Sequence, residues 1–235
     1  DPLENFHIAM KWRDNIGSGN PFLPPEPVLE EIARTQPEIK ILNMNCNDVS
    51  KRRVDSVFEE IFGYSLSVDP GTYSGKCVMK ANGNGLHLGE IIECPTEIRK
   101  KDFVYEKLIN NEVGNGLVED IRVPIFSNKI PFVYLKYRPV RERLVDRGHT
   151  LKQTVIAKVS DALTENEVEK IFRFCAKMRL DYGEIDVLRD RDTQKIFIVD
   201  VNNDPCGPPF PAEGQDARKA LDLLILAFEK TFLRE

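Results

Sequence analysis

The sequence is poor in the residues that build metal-rich or disulfide-bonded proteins. Its three histidines, His7, His87 and His149, exclude a His-rich metal centre. Its five cysteines, Cys46, Cys77, Cys94, Cys175 and Cys206, include no CxxC pair. An odd number at irregular spacing argues against both a disulfide framework and a zinc site. Cys175 falls at an apolar helix position and is expected as a small core residue. No apolar run approaches the roughly 20 residues needed to span a bilayer. The opening Asp1-Pro2-Leu3-Glu4 does not read as a signal peptide, and without an initial Met the chain is expected to be a processed or partial form. A net charge of −5 carries no mark of a nucleic-acid binder. The expectation is a reducing, cytoplasmic setting, with no membrane and no nucleic-acid partner.

Several chemical signatures are also missing. There is no G-x-x-x-x-G-K-[ST] loop, and Gly71-Thr-Tyr-Ser-Gly75 has the wrong spacing for a serine-hydrolase elbow. Gly83, Gly85 and Gly89 are spaced G-x-G-x-x-x-G, which is not the dinucleotide fingerprint.

What remains is an ordinary globular composition, 41% hydrophobic and 30% charged over 235 residues, enough for a proper core. The N-terminal part reads as a strand (7–12), a Pro/Gly-rich loop, a helix from about Pro27 and a strand (39–44). Ser50 is placed to cap a helix whose Val54, Val57, Phe58, Ile61 and Phe62 repeat at helical spacing up to Gly63. Strands are expected at 76–80, 90–94, 119–126 and 132–140, with a helix over 97–111. Thr164 and Glu167 form a capping box ahead of the stripe Val168, Ile171, Phe172 and Cys175. A last helix, about 215–232, is expected to bury Ala217, Leu221, Leu224, Ile225 and Phe228.

The strongest chemical signal is Gly183-Glu-Ile-Asp-Val-Leu-Arg followed, across a polar turn, by Ile196-Phe-Ile-Val-Asp-Val-Asn. A turn near residue 193 puts Asp186 opposite Asp200 and Glu184 opposite Asn202. Alternation places these four on one face and Ile185, Val187, Val199 and Val201 on the other. Like charges directly opposed are destabilising, so the face calls for a compensating cation. Few, hard oxygen donors on rigid strands suit Mg2+ shared with substrate phosphates. The plainer alternative is a solvated polar face.

Lys80 ends a strand just before a glycine turn, where backbone amides can approach phosphate oxygens. Most such turns merely join strands. Phe132-Val-Tyr-Leu-Lys-Tyr-Arg138 puts Lys136 and Arg138 on one face and Leu135 and Tyr137 on the other. An exposed basic edge strand would explain it equally well.

In order, these features resemble the ATP-grasp superfamily over about residues 48–210. The resemblance implies an α/β ATP-grasp fold, two α+β subdomains with largely antiparallel sheets clasping a nucleotide. It divides the chain into a segment 1–46, a lid subdomain 47–130 and a C-terminal subdomain 131–235. Lys51 is similar to the family's first phosphate lysine, and Lys80 with Gly83 and Gly85 to its second lysine and glycine loop. Leu135, Lys136 and Tyr137 would contact adenine through the backbone, and Glu142, seven residues after Leu135, would hold the ribose. Asp186, Asp200 and Asn202 would bind Mg2+. The family's usual Glu is Asp200 here, and Glu184 stands where many of its ligases carry an arginine that helps hold the reacting acyl group.

The implied reaction is Mg-ATP-dependent ligation. A small-molecule or peptide carboxylate becomes an acyl phosphate and is attacked by an amine or another nucleophile. Lys51 and Lys80 would stabilise the transferring phosphoryl, and Arg138, Arg141 and Arg143 could hold an anionic substrate. Two rivals stand beside it. One is a nucleotide-binding module without turnover, favoured by Glu184, and the other is a cation-stabilised interaction domain with no nucleotide site.

Overall fold

The computed structural model describes residues 7–11, 22, 26–83, 86, 89–97, 99–144, 151–205, 207–209 and 214–233. It opens with strand β1 (Ile8–Met10), helix α1 (Pro27–Thr35) and strand β2 (Lys40–Leu42), the two strands pairing in parallel. Asn43 joins this unit to the rest of the chain. At φ 56° it donates to the carbonyls of Tyr182 (2.6 Å) and Asn203 (3.1 Å) and accepts from the amides of Asp181 (2.9 Å) and Tyr182 (3.0 Å). A short amide side chain tolerates the left-handed conformation while bridging several backbone groups.

Helix α2 (Lys51–Phe62) starts and stops where the sequence reading places it. The Ser50 hydroxyl accepts from the Arg53 amide, and Gly63 ends the helix at φ 80°. Its stripe of Val54, Val57, Phe58 and Phe62 is buried. A three-stranded antiparallel sheet follows, ordered β4-β3-β5, from β3 (Gly75–Ala81), β4 (Gly89–Cys94) and β5 (Phe103–Lys107). The helix expected over 97–111 is therefore a strand. Val104 and Glu106 are buried while Phe103, Tyr105 and Lys107 are half-buried, a period of two, and Asp102 at φ 62° cannot continue a right-handed helix.

The larger sheet has six strands, β11-β10-β7-β8-β9 with β6 also on β7. They are β6 (Glu112–Gly114), β7 (Leu117–Phe126), β8 (Val133–Pro139), β9 (Gln153–Ala157), β10 (Tyr182–Arg189) and β11 (Ile196–Asn202). Because β7 pairs with both β8 and β10, a boundary at residue 130 would cut through this sheet. Among the described residues the three-stranded sheet forms no ladder with the six-stranded one. The short α3 (Val159–Ala162) leads into α4 (Glu165–Met178), which has the expected Thr164–Glu167 capping box.

One face of the large sheet carries Ile121, Val123, Ile125, Val133, Ile185, Val187, Ile196, Ile198 and Val201 into a core with α2 and α4. Each such buried side chain contributes about 1.5–3 kcal/mol. On the opposite face, α5 (Gly214–Phe228) covers Phe132 and Tyr134 with Ala220, Leu223 and Leu224. Of the expected stripe Leu224 is covered, whereas Leu221 and Ile225 are each 48% exposed. Apolar residues occur on more than one side of α5, so spacing alone does not fix which side is covered. Among the described residues no helix is long and apolar enough to cross a membrane.

Candidate nucleotide site

Beyond the part covered by α5, the same face of the large sheet is polar and borders a cavity of about 360 Å3. The sheet supplies Asp120 and Arg122 from β7, Lys136 and Arg138 from β8, Glu184 and Asp186 from β10, and Val199, Asp200 and Asn202 from β11. The three-stranded sheet and its turn supply Lys80, Gly83, Leu86, Gly89 and Glu106, and α2 supplies Lys51.

The β10–β11 hairpin has the register that its spacing predicts, with Asp186 opposite Asp200 and Glu184 opposite Asn202. Gly183 makes the close approach possible, since a Cβ there would lie 2.4 Å from the Asn202 carbonyl oxygen. Beyond Asp186 the pairing slips by one residue, and Val187 faces Ile198. At this bulge Val199 still packs against the core, as expected, while its carbonyl accepts from Lys80 Nζ at 3.3 Å on the cavity side.

The cations that offset these acids are side chains. Arg122 grips Asp186 with two hydrogen bonds (Nε–Oδ1 3.0 Å, Nη2–Oδ2 2.9 Å), and Lys136 Nζ reaches Asp186 Oδ1 at 2.7 Å. Lys51 donates to Asp200, and Arg122 Nη1 lies 3.5 Å from Glu184 Oε2. Burial works to raise the Asp186 carboxyl, but Arg122 and Lys136 outweigh it and hold Asp186 below the usual carboxylate range. Burial dominates at Glu184 and pushes it up to about 7. The expectation that repulsion on this face requires a metal is thus corrected, because Arg122, Lys136 and Lys51 already relieve it. Among the described residues no group of three or more acids, cysteines or histidines is arranged to hold a metal.

The two phosphate-lysine candidates are brought together by Asn82. Its carbonyl accepts from the Lys51 amide (3.1 Å) and its side chain from the Arg52 amide (3.0 Å), tying the end of β3 to the first turn of α2. Lys80 pairs with Glu106 at 2.6 Å, a buried acid whose other oxygen, Oε1, has no hydrogen-bond partner. Burial lowers the Lys80 ammonium, yet Glu106, Asp55 and Asp200 together raise it above its ordinary value.

Other expected residues are distributed unevenly. Arg138 lines the cavity and pairs with Asp120 at 3.0 Å, while Arg143 donates to the Ile109 carbonyl (2.6 Å) and to Asn111. Gly83 lines the cavity, and Gly85 lies outside the described residues. Leu135 and Tyr137 do not line it. Strand β8 is central, pairing with β7 on one side and β9 on the other, so the main chain of Leu135–Tyr137 is spent on two ladders. Of these three residues only Lys136 lines the cavity. Glu142 is likewise off the cavity and pairs with its exposed neighbour Arg141 at 3.3 Å. Sequence reasoning missed Glu106, Leu108, Ile109 and Arg122. The first three sit in the region expected as a helix, and the available signal was the alternation of Phe103-Val-Tyr-Glu-Lys107.

Comparison with solved structures places this architecture. A D-alanine–D-alanine ligase from Bacillus anthracis complexed with ATP superposes with TM-score 0.55 at 14% identity, over 97% of this chain and 79% of that one. The fold is the ATP-grasp fold. A second match is the ATP-grasp ligase PsnB complexed with a phosphomimetic variant of its minimal precursor, Mg and ADP (TM-score 0.53, 12% identity, 82% of this chain, 63% of that one). A third is a Chryseobacterium gregarium RiPP-associated ATP-grasp ligase with ADP and a leader and core peptide (0.51, 12%, 97% and 78%). This chain spans less than two thirds of the PsnB chains that it matches. No protein-family model and no curated protein matches the sequence. In ATP-grasp terms, the cavity lies between the small and large antiparallel sheets.

Proposed function

We propose that the chain is an Mg-ATP-dependent ligase that activates a carboxylate substrate as an acyl phosphate for attack by an amine or another nucleophile. The observation that carries this reading is the convergence of Lys51, Lys80, Asp186, Asp200 and Asn202, from α2, β3, β10 and β11, on one cavity. The adenine ring is assigned to the end bounded by Glu106 and Leu108–Asn111. That segment lies in no strand, and Glu106 Oε1 is a buried acceptor awaiting a donor such as an exocyclic amine.

Asp186, Asp200 and Asn202 suit Mg2+ as it is held in nucleotide sites, by one or two carboxylates together with phosphate oxygens, and not as a dedicated cage. When bound, the ion supplies charge neutralisation and Lewis acidity at the phosphates. The rest falls to the chain's own groups. Lys51 and Lys80, now on Asp200 and Glu106, turn their remaining protons to phosphate oxygens as charge builds during transfer. Arg122, Arg138 and Arg143, each anchored by a neighbour, present guanidinium forks to the anionic substrate. Arg122 stands on β7 directly opposite Asp186, so a guanidinium reaches the first metal aspartate from the adjacent strand even though Glu184 stands two residues before it.

The test is phosphate release from ATP with a panel of amino-acid and peptide carboxylates as acceptors, alongside ADP-binding calorimetry. Acceptor-dependent release, lost in Lys51→Ala, supports the ligase. Binding without release under any acceptor favours a non-catalytic nucleotide module. Absence of binding overturns both.

A further inference from the structure

Cys77 lies within β3, and Cys94 is the last residue of β4. In the β3–β4 register Cys77 is opposite Ile92 and Cys94 opposite Gly75, so the cysteines are diagonal neighbours on one face of the hairpin. Gly75 has no side chain to fill the space across from Cys94. The two sulfurs approach to 3.1 Å, about 1 Å beyond the length of a disulfide bond. Sequence spacing could not show this pair, because the hairpin and not a short motif brings it together.

Both thiols are free and buried, and burial with the neighbouring thiol pushes Cys77 up to about 12, which keeps it protonated and slow to react at rest. Access comes through β4. It is an edge strand, exposed at Gly89, Glu90, Ile91 and Glu93, and its ladder ends at Cys94, followed by Pro95 with no amide to donate. Edge strands open at their ends well below the cost of global unfolding, so Cys94 is the thiol that meets solvent first.

We infer that Cys77 and Cys94 form a redox-modification site, closing to an intramolecular disulfide that staples β4 to β3 when a low-molecular-weight disulfide is available. The Cys94 thiolate attacks one sulfur of RSSR, giving a mixed disulfide and RS−. The Cys77 thiolate then displaces the second RS−. The protein loses two hydrogens, and one RSSR becomes two RSH. The far end of the stapled hairpin is the Lys80–Gly89 turn that borders the cavity. The inference does not depend on what that cavity binds.

The test is incubation of the folded chain with oxidised glutathione, alkylation of remaining thiols, intact mass and peptide mapping, repeated with diamide as a smaller oxidant. The expected result is a Cys77–Cys94 linked peptide, reversed by dithiothreitol, with a melting temperature higher by about 5 °C. Cys94→Ala should abolish the link and Cys77→Ala should stop at a glutathione adduct on Cys94. Overturning results are both thiols remaining alkylatable after either oxidant, a stable glutathione adduct in the wild type, or a link that instead uses Cys46, Cys175 or Cys206.

Discussion

The two sheets that border the cavity meet it with different chemistry. On the six-stranded sheet the charges interlock across neighbouring strands. Arg122 and Lys136 share Asp186, Arg138 holds Asp120, and the apolar face beneath packs on α2 and α4. On the three-stranded sheet the cavity-facing pair is Lys80–Glu106, and one edge, β4, is largely exposed. The junction between them is also polar. Asp55 on α2 accepts from the Ser67 hydroxyl at 2.5 Å, and Ser67 is bridged to Glu106. The floor of the site is therefore part of the main core, whereas the three-stranded roof buries its own Cys77, Met79 and Val104 outside that cluster.

The largest effect should come from the floor. Asp186→Asn leaves Arg122 and Lys136 partly unpaired in a buried setting and should cost about 3–5 kcal/mol in urea unfolding. A loss below about 1 kcal/mol would show that these pairs are not buried partners. By the same reasoning Asp200→Asn should destabilise even without nucleotide, because the half-buried Lys51–Asp200 pair loses its negative charge.

Lys80→Ala tests the roof and should cost less, about 1–3 kcal/mol, the cost of leaving one buried partner unsatisfied. Its larger effect should be on nucleotide affinity. A stability loss equal to that of Asp186→Asn, with nucleotide binding unchanged, would reverse the comparison.

Asp55 sharpens the junction. Burial, reinforced by Glu106, raises its carboxyl to about 7. Between an unfolded value of about 3.9 and this folded value, the native state holds a proton that the unfolded state lacks. Asp55 therefore makes stability fall as pH rises through that window. Asp55→Asn keeps a partner for Ser67 and should flatten this slope, leaving the variant more stable than wild type at pH 8. Asp186 has the opposite sign, its contribution being present above about pH 3.9 and lost as pH falls. An unchanged slope in Asp55→Asn, measured by urea unfolding at pH 5 and pH 8, would show that the buried carboxyl is not the titrating group.

The smallest effect should be a control beneath the floor. Thr164→Ala removes one half of the α4 capping box and should cost about 1 kcal/mol with no change in nucleotide binding. A binding defect there would couple α4 to the site in a way that the geometry does not require.

Local rules carried the sequence reading where they acted alone. Ser50 and Gly63 bound α2, Thr164 and Glu167 open α4, and the turn near residue 193 sets Asp186 against Asp200. Failures came where tertiary pairing decides. Nothing within Phe132–Val140 reveals that β8 is flanked on both sides, which is what occupies the Leu135–Tyr137 backbone. The bulge after Asp186 and the choice of covered side on α5 likewise depend on neighbours. Arg122 was invisible as a site residue because its partner lies 64 positions away, joined by strand pairing and not by spacing.

The central claim is that the cavity between the two sheets binds Mg-ATP. A thermal melt of the full chain with and without millimolar Mg-ATP tests it most directly. At a hundredfold excess over Kd a single-site ligand adds about 2.7 kcal/mol, which for a chain of this size raises the midpoint by roughly 5–10 °C. The same titration on Lys80→Ala should show a clearly smaller rise. A wild-type melting curve indifferent to Mg-ATP, or an equal rise in both proteins, would contradict the claim.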